Sequence, residues 1–156
     1  MISIASYADR HFSGVEALWN EAFPHDNAWN AAKTSIPEKL KVHRELLLVA
    51  IERDTVVGSL MGGYDGHRGW IYRAAVLKSY RGQGIGKALV EEVEKRLAAL
   101  GCIKVNLQVV ASNAAVVGFY RSLGYQVEER ISMGKHLPRS GPHLAGPAAA
   151  KTGSGG

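Results

Sequence analysis

Residues 80–101 read YRGQGIGKALVEEVEKRLAALG, and the chemistry such a stretch can do is to hold an anion. Gly82, Gly84 and Gly86 carry no Cβ, so the backbone amides of Gln83, Ile85, Lys87 and Ala88, with those of the glycines, can turn toward one point. These amides are the unpaired donors of a helix start, with the positive end of the helix dipole behind them. Arg81 and Lys87 add positive charge on either side. The result is a cradle for a pyrophosphate that needs no metal. Two other phosphate loops fail on spacing. A Walker loop requires G-x-x-x-x-G-K-[ST], but Gly82 and Gly86 enclose three residues and Ala88 stands where the magnesium-binding hydroxyl belongs. A dinucleotide fingerprint requires G-x-G-x-x-G after an early strand, whereas the spacing here is G-x-G-x-G.

Such a loop needs a strand to deliver it and a helix to anchor it. Downstream, Ile85, Leu89, Val93 and Leu97 recur every four residues, Leu100 closes the stripe, and Gly101 is a natural stop. Upstream, residues 45–52, 55–64 and 70–77 read as strands joined by short turns at Arg53-Asp54 and 65–69, an antiparallel meander. Before them come a strand over 2–7 and a helix whose apolar face holds Phe12, Val15, Leu18, Trp19 and Phe23. Residues 25–44 suggest a loop and a helical piece interrupted near Pro37. After the glycine loop and its helix, residues 103–110 form a strand, and 112–124 a helix with Ser112 or Asn113 as N-cap and Gly124 past its end. Residues 125–137 read as a last strand. The order is β-α-α-β-β-β-α-β-α-β, a mixed α/β domain over residues 1–136. The Pro/Gly-rich tail, 137–156, has no means of packing.

A chain of 156 residues, 46% hydrophobic and 21% charged, is long enough for one domain with a substantial core. No apolar run approaches the roughly 20 residues that span a bilayer, and the N-terminus lacks the features of a secretory signal. The single cysteine, Cys102, forms no internal disulfide, so a reducing, cytoplasmic setting is expected, with the thiol buried and inert. The net charge of +5 is mild and unclustered, which argues against nucleic acid and suits a small polyanion. Neither a membrane nor a metal is expected.

RGQGIG resembles the R/Q-x-x-G-x-G/A motif of the GNAT acetyltransferase superfamily, whose loop binds the pyrophosphate of coenzyme A. AAVLKSYRGQGIGKAL is similar to that family's fourth strand, loop and following helix, with Ala74, Ala75 and Val76 at the strand end. NAAVVGFYRSLGY, residues 113–125, follows N-x-x-[small]-x-x-x-Y-x-x-x-G-[FY], with Val116 where alanine is commoner. The resemblance runs from residue 2 to about 136. It implies a central mixed sheet of six to seven strands flanked by about four helices, and acetyl-CoA as cosubstrate.

Further roles follow from the resemblance. Backbone groups of Ala75 and Val76 are expected to pair with the pantetheine arm, and the Val76 amide to stabilise the oxyanion. Tyr120 is the expected general acid for the thiolate; the alternative is a core tyrosine beside Phe119 and Leu123. Asn113, seven residues earlier, either bonds the cofactor or caps the helix. The glutamate that many members carry on the fourth strand is replaced by Arg73, which is no base at neutral pH. A water relay, another residue among Asp65, His67 and Tyr72, or an amine that arrives neutral must serve instead. Arg73 would then be free to pair with a carboxylate on the acceptor. Acceptor recognition in this fold falls to the region of Trp19, Phe23, Trp29 and Asn30, with Trp29 the pocket candidate and Trp19 structural. The function implied is acetyl-CoA-dependent N-acetyl transfer to a small-molecule or peptide amine, by a monomer or homodimer. A non-catalytic acyl-CoA sensor is the alternative.

Overall fold

The computed structural model describes residues 1–138; from residue 139 the tail lies outside the described residues. The chain divides into two compact units, Met1–Asn113 and the part from Ala114 onward.

The first unit holds one sheet in the order β1-β2-β3-β4-β5. β2 (Leu47–Glu52), β3 (Thr55–Tyr64) and β4 (Gly69–Val76) form the expected antiparallel meander, β1 (Ser3–Ser6) pairs antiparallel with β2, and β5 (Val105–Leu107) runs parallel to β4. The run Leu47–Ala50 is buried throughout, because a central strand here is covered on both faces. Arg53 and Asp54 both take left-handed φ, 49° and 66°, which is the two-residue turn that matches strand twist.

α1 (Phe12–Ala22) and α3 (Ile85–Ala99) cover opposite faces. Gly58 and Gly62 of β3 lie against Ile85, Leu89 and Val93 of α3. Ser59, on the alternate side, accepts a 2.9 Å hydrogen bond from Trp19 Nε1 of α1. The helical stripes bury in part as read: Val15, Leu18 and Trp19 on α1 and Ile85, Leu89, Val93 and Leu97 on α3 are buried, Phe12 and Phe23 are partly buried, and Leu100 is left exposed at the helix end. α2 (Ala32–Lys39) contributes Ala32 and Ile36 to the α1 side. Pro37 does not interrupt it. The carbonyl that loses its partner belongs to Lys33, on the exposed side, where it is open to solvent. Among the described residues no helix is long and apolar enough to cross a membrane.

The second unit contains α4 (Ala115–Ser122), ended by Gly124 at φ 95°. Its N-cap is Ala114, with no side-chain bond, so neither Ser112 nor Asn113 caps the helix; both sit in the preceding 3₁₀ turn Ala111–Asn113. The sheet has five strands rather than six or seven. β5 is limited to three residues, and 125–137 forms no strand. The alternation of Tyr125, Val127, Ile131 and Met133 is broken by Glu129 inside a Glu-Glu-Arg run. Val127, Ile131 and Met133 stay exposed, so no buried face fixes a register.

Candidate active site

The glycine loop presents unpaired backbone amides at the start of α3. Gly82 and Gly84 both adopt φ 81°, a conformation costly for any residue with a Cβ, and a Cβ on either would project into open space. Gly84 is the N-cap of α3. Among the described residues, no backbone hydrogen bond uses the N–H of Gly82, Gln83 or Gly84. Those of Ile85, Gly86 and Lys87 are the first three of the helix and have no helical acceptor. Six successive amides are thus unspent. The Ala88 N–H is not among them, because it closes the first helical bond to Gly84 O at 3.0 Å. Arg81 and Lys87 both have exposed side chains.

The approach to the cradle is fixed at two points. Glu21 of α1 accepts from the Lys78 N–H at 2.9 Å, and the Tyr80 hydroxyl donates to Glu52 of β2 at 3.0 Å.

Immediately before it, β4 has an irregular and partly open edge. Ser59 pairs with Ala75 but Met61 pairs with Tyr72, so Leu60 opposes both Arg73 and Ala74. This is a β-bulge, and Arg73 carries its left-handed φ of 52°. On the other edge, pairing with β5 ends at Ile71 and Leu107. Leu77 N–H bonds Val57 O at 2.9 Å, so by antiparallel alternation the Val76 N–H points away from β3, to the open edge. Ala75 is buried and Val76 half-buried.

Arg73 is already paired. Its guanidinium donates to Asp26 Oδ2 and, at 3.0 Å, to Asn30 O. It also packs 4.5 Å from the Trp19 ring and 4.2 Å from the Phe23 ring. Asp26 Oδ1 accepts from Asn27 N–H and Asn30 Nδ2, each at 2.9 Å. Burial by itself would raise the Asp26 pKa. Hydrogen bonds from Asn30, Arg73 and Asn27, with the Arg73 charge, outweigh it and hold the carboxyl below its ordinary value. The side chains are only 17% and 23% exposed. Arg73 thus fastens the segment after α1 to the bulge, and Asn30 spends both its amide and its carbonyl on that clamp. Arg73→Ala is expected to cost about 2–3 kcal/mol in urea unfolding, because it strands a partly buried carboxylate. Asp26→Asn should cost less, since the amide oxygen still accepts from Asn27 and Asn30. A loss below about 0.5 kcal/mol for Arg73→Ala would show the clamp to be idle.

Asp65 and His67 form a turn. Asp65 Oδ1 accepts from the His67 and Arg68 amides, both at 2.7 Å, and Gly66 takes φ 91°. Tyr72 is 48% exposed, and its ring stacks with Trp70 at 6.4 Å and 22°. Trp29 is half-buried in a 3₁₀ turn, Ala28–Asn30. Cys102 is half-buried, not buried, with its thiol donating to Lys104 O at 3.2 Å.

In the second unit, Tyr120 is 8% exposed, with its ring edge-on to Phe119 at 5.0 Å and Tyr125 at 5.7 Å. Burial raises the phenol pKa above its usual 10.0. Its hydroxyl makes none of the side-chain hydrogen bonds found among the described residues. Asn113 ends the first unit and precedes α4, so the seven-residue spacing does not set it on one helix with Tyr120.

Sequence reasoning missed Asp26 and Glu21. Asp26 and Asn30 stand four apart in a polar loop, a weak signal, and nothing local announces a partner 47 residues away. The described residues contain no cluster of His, Cys, Asp or Glu that could hold a metal ion.

The sequence model of the acetyltransferase (GNAT) family matches residues 9–125. An acetyltransferase of Yersinia pestis is 47% identical over 136 residues, covering 87% of this chain and 96% of that protein. Among solved structures, an aminoglycoside N-acetyltransferase in complex with a CoA-based bisubstrate analogue superposes with a TM-score of 0.75 at 17% identity, covering 88% of this chain and 99% of that one. The ribosomal-protein-S18-alanine N-acetyltransferase of Escherichia coli superposes with a TM-score of 0.67 at 25% identity, over 80% and 77%.

Proposed function

Since the chain belongs to the GNAT acetyltransferase family, we propose that it transfers the acetyl group of acetyl-CoA to an amine held on the α1 side of β4. One observation supports this reading most: six unspent amides, shaped by two left-handed glycines, directly follow a strand whose edge is open from Tyr72 to Val76. The loop 81–87 takes the pyrophosphate, with Arg81 and Lys87 balancing its charge. The pantetheine arm adds to the open edge as a strand would, and the Val76 N–H donates to the thioester carbonyl oxygen.

The amine nitrogen attacks the carbonyl carbon, and the tetrahedral oxyanion stays on the Val76 amide. On collapse the carbon–sulfur bond breaks, and the thiolate takes the Tyr120 hydroxyl proton. The attacking nitrogen loses its second proton as the amide forms, and that proton, passed through water, restores the phenol. No base stands at Arg73, and Asp26 is held ionised by its hydrogen bonds and by the Arg73 charge, which makes it a weak proton acceptor. The amine therefore loses its proton to water before attack. Thiol release from acetyl-CoA, followed with and without amines, tests the reading: release should depend on the amine. Tight acetyl-CoA binding with no amine-dependent release would favour a sensor.

A further inference from the structure

Beyond the point where α1 covers the sheet, its α1 face carries an aromatic surface that the transfer chemistry does not use. Gly62 of β3 faces α3, so Gly63 faces the other way, and a Cβ there would lie 3.3 Å from Tyr72 Cε2. The Tyr72 ring thus leans over a strand position with no side chain. Trp70 shares nearly the same ring orientation. A large aromatic left 48% exposed in mid-strand offers its face to something outside the fold.

The charge beside this surface is negative. Asp65 is anchored by two backbone amides through Oδ1, and Oδ2 makes no hydrogen bond among the described residues. Asp65 is the one charge that shifts Tyr72, adding to burial in raising the phenol. The nearby arginines have other partners. Arg68 donates to His67 O at 3.0 Å, and Arg73 is committed to Asp26 and Asn30. Arg73 is therefore not presented to an acidic acceptor; the face favours a cation.

We propose that the acceptor carries a second positive charge, seated on Tyr72 beside Asp65, about 10 Å from the amine that is acetylated. The spacing follows from the three β3 steps between Gly58 and Met61, the ladder partners of Val76 and Tyr72, at about 3.3 Å each. This deepens the function proposed above and rests on it: the substrate class is an extended diamine or polyamine rather than a simple alkylamine.

Linear diamines of increasing length, each compared with the monoamine of equal length, test it. The kcat/KM ratio of diamine to monoamine should reach about tenfold near a 10 Å span and stay near one at short spans. Tyr72→Leu and Asp65→Asn should each lower that ratio; asparagine keeps the turn, because its Oδ1 accepts the same two amides. Calorimetric titration of the CoA-loaded protein with the diamine reads the surface without turnover. If amines are acetylated at a ratio near one that neither variant changes, this inference falls and the proposed function stands. If the diamine binds, and Tyr72→Leu weakens it, but no acetyl is transferred, the surface stands and the transfer reading falls. Absence of both binding and preference overturns the inference.

Discussion

Replacing Tyr120 by phenylalanine is expected to lower kcat by about 100-fold or more while leaving the KM for acetyl-CoA within about threefold. The phenol ring is buried and its aromatic neighbours, Phe119 and Tyr125, would hold phenylalanine equally well, so the fold should tolerate the change. What disappears is one O–H. Burial raises its pKa, so the group is protonated, and able to donate, up to a pH above about 10. An acid with a raised pKa is lost only as pH climbs through that value. The wild-type rate should therefore fall on the far alkaline side, and Tyr120→Phe should remove that limb along with most of the rate. A kcat within about threefold of wild type would reject Tyr120 as the acid.

Gly84→Val should nearly abolish coenzyme A binding. At φ 81° a β-branched residue is strained, at a cost of about 1–2 kcal/mol in stability. The larger effect is on the ligand. A Cβ at position 84 meets no atom within 4 Å, so the valine side chain stands out beside the unspent amides and is expected to keep the pyrophosphate from closing on them. CoA affinity measured by calorimetry should fall at least about 100-fold. Thermal melting without ligand separates this from unfolding, since the strain alone shifts the midpoint by only a few degrees. Affinity within about threefold of wild type would mean that the anion is held elsewhere.

The periodic elements were legible because their signals are local. The stripe Ile85–Leu89–Val93–Leu97 needs only a 3.6-residue period, and the Arg53-Asp54 turn and the glycine loop announce themselves by residue type. Pairing is not local. Residues 125–137 alternate like a strand, but Glu129 breaks the face and the apolar residues stay exposed. The N-cap of α4 was misread for a related reason: Ser112 and Asn113 are as suited to a 3₁₀ turn as to a cap.

The site divides the same way. Its run of unpaired amides was readable from three glycines, one amide too generously, since Ala88 spends its N–H on Gly84. The environment of Arg73 was not. A guanidinium at a bulge, clamped by Asp26 and packed on Trp19 and Phe23, joins three segments far apart in sequence. With its charge answered inside the fold, the neighbouring surface is left to Tyr72 and Asp65, which reverses the polarity expected of the acceptor.

If the glycine loop and the open edge of β4 present acetyl-CoA for attack by an amine, thiol and acetylated product must appear together. The most direct measurement is a balance of products: free thiol released from acetyl-CoA against acetylated amine formed, with and without a panel of monoamines, diamines and peptide α-amines. Thiol release should depend on the amine and match acetylated product mole for mole. Saturable acetyl-CoA binding with no amine-dependent thiol release across the panel would contradict it.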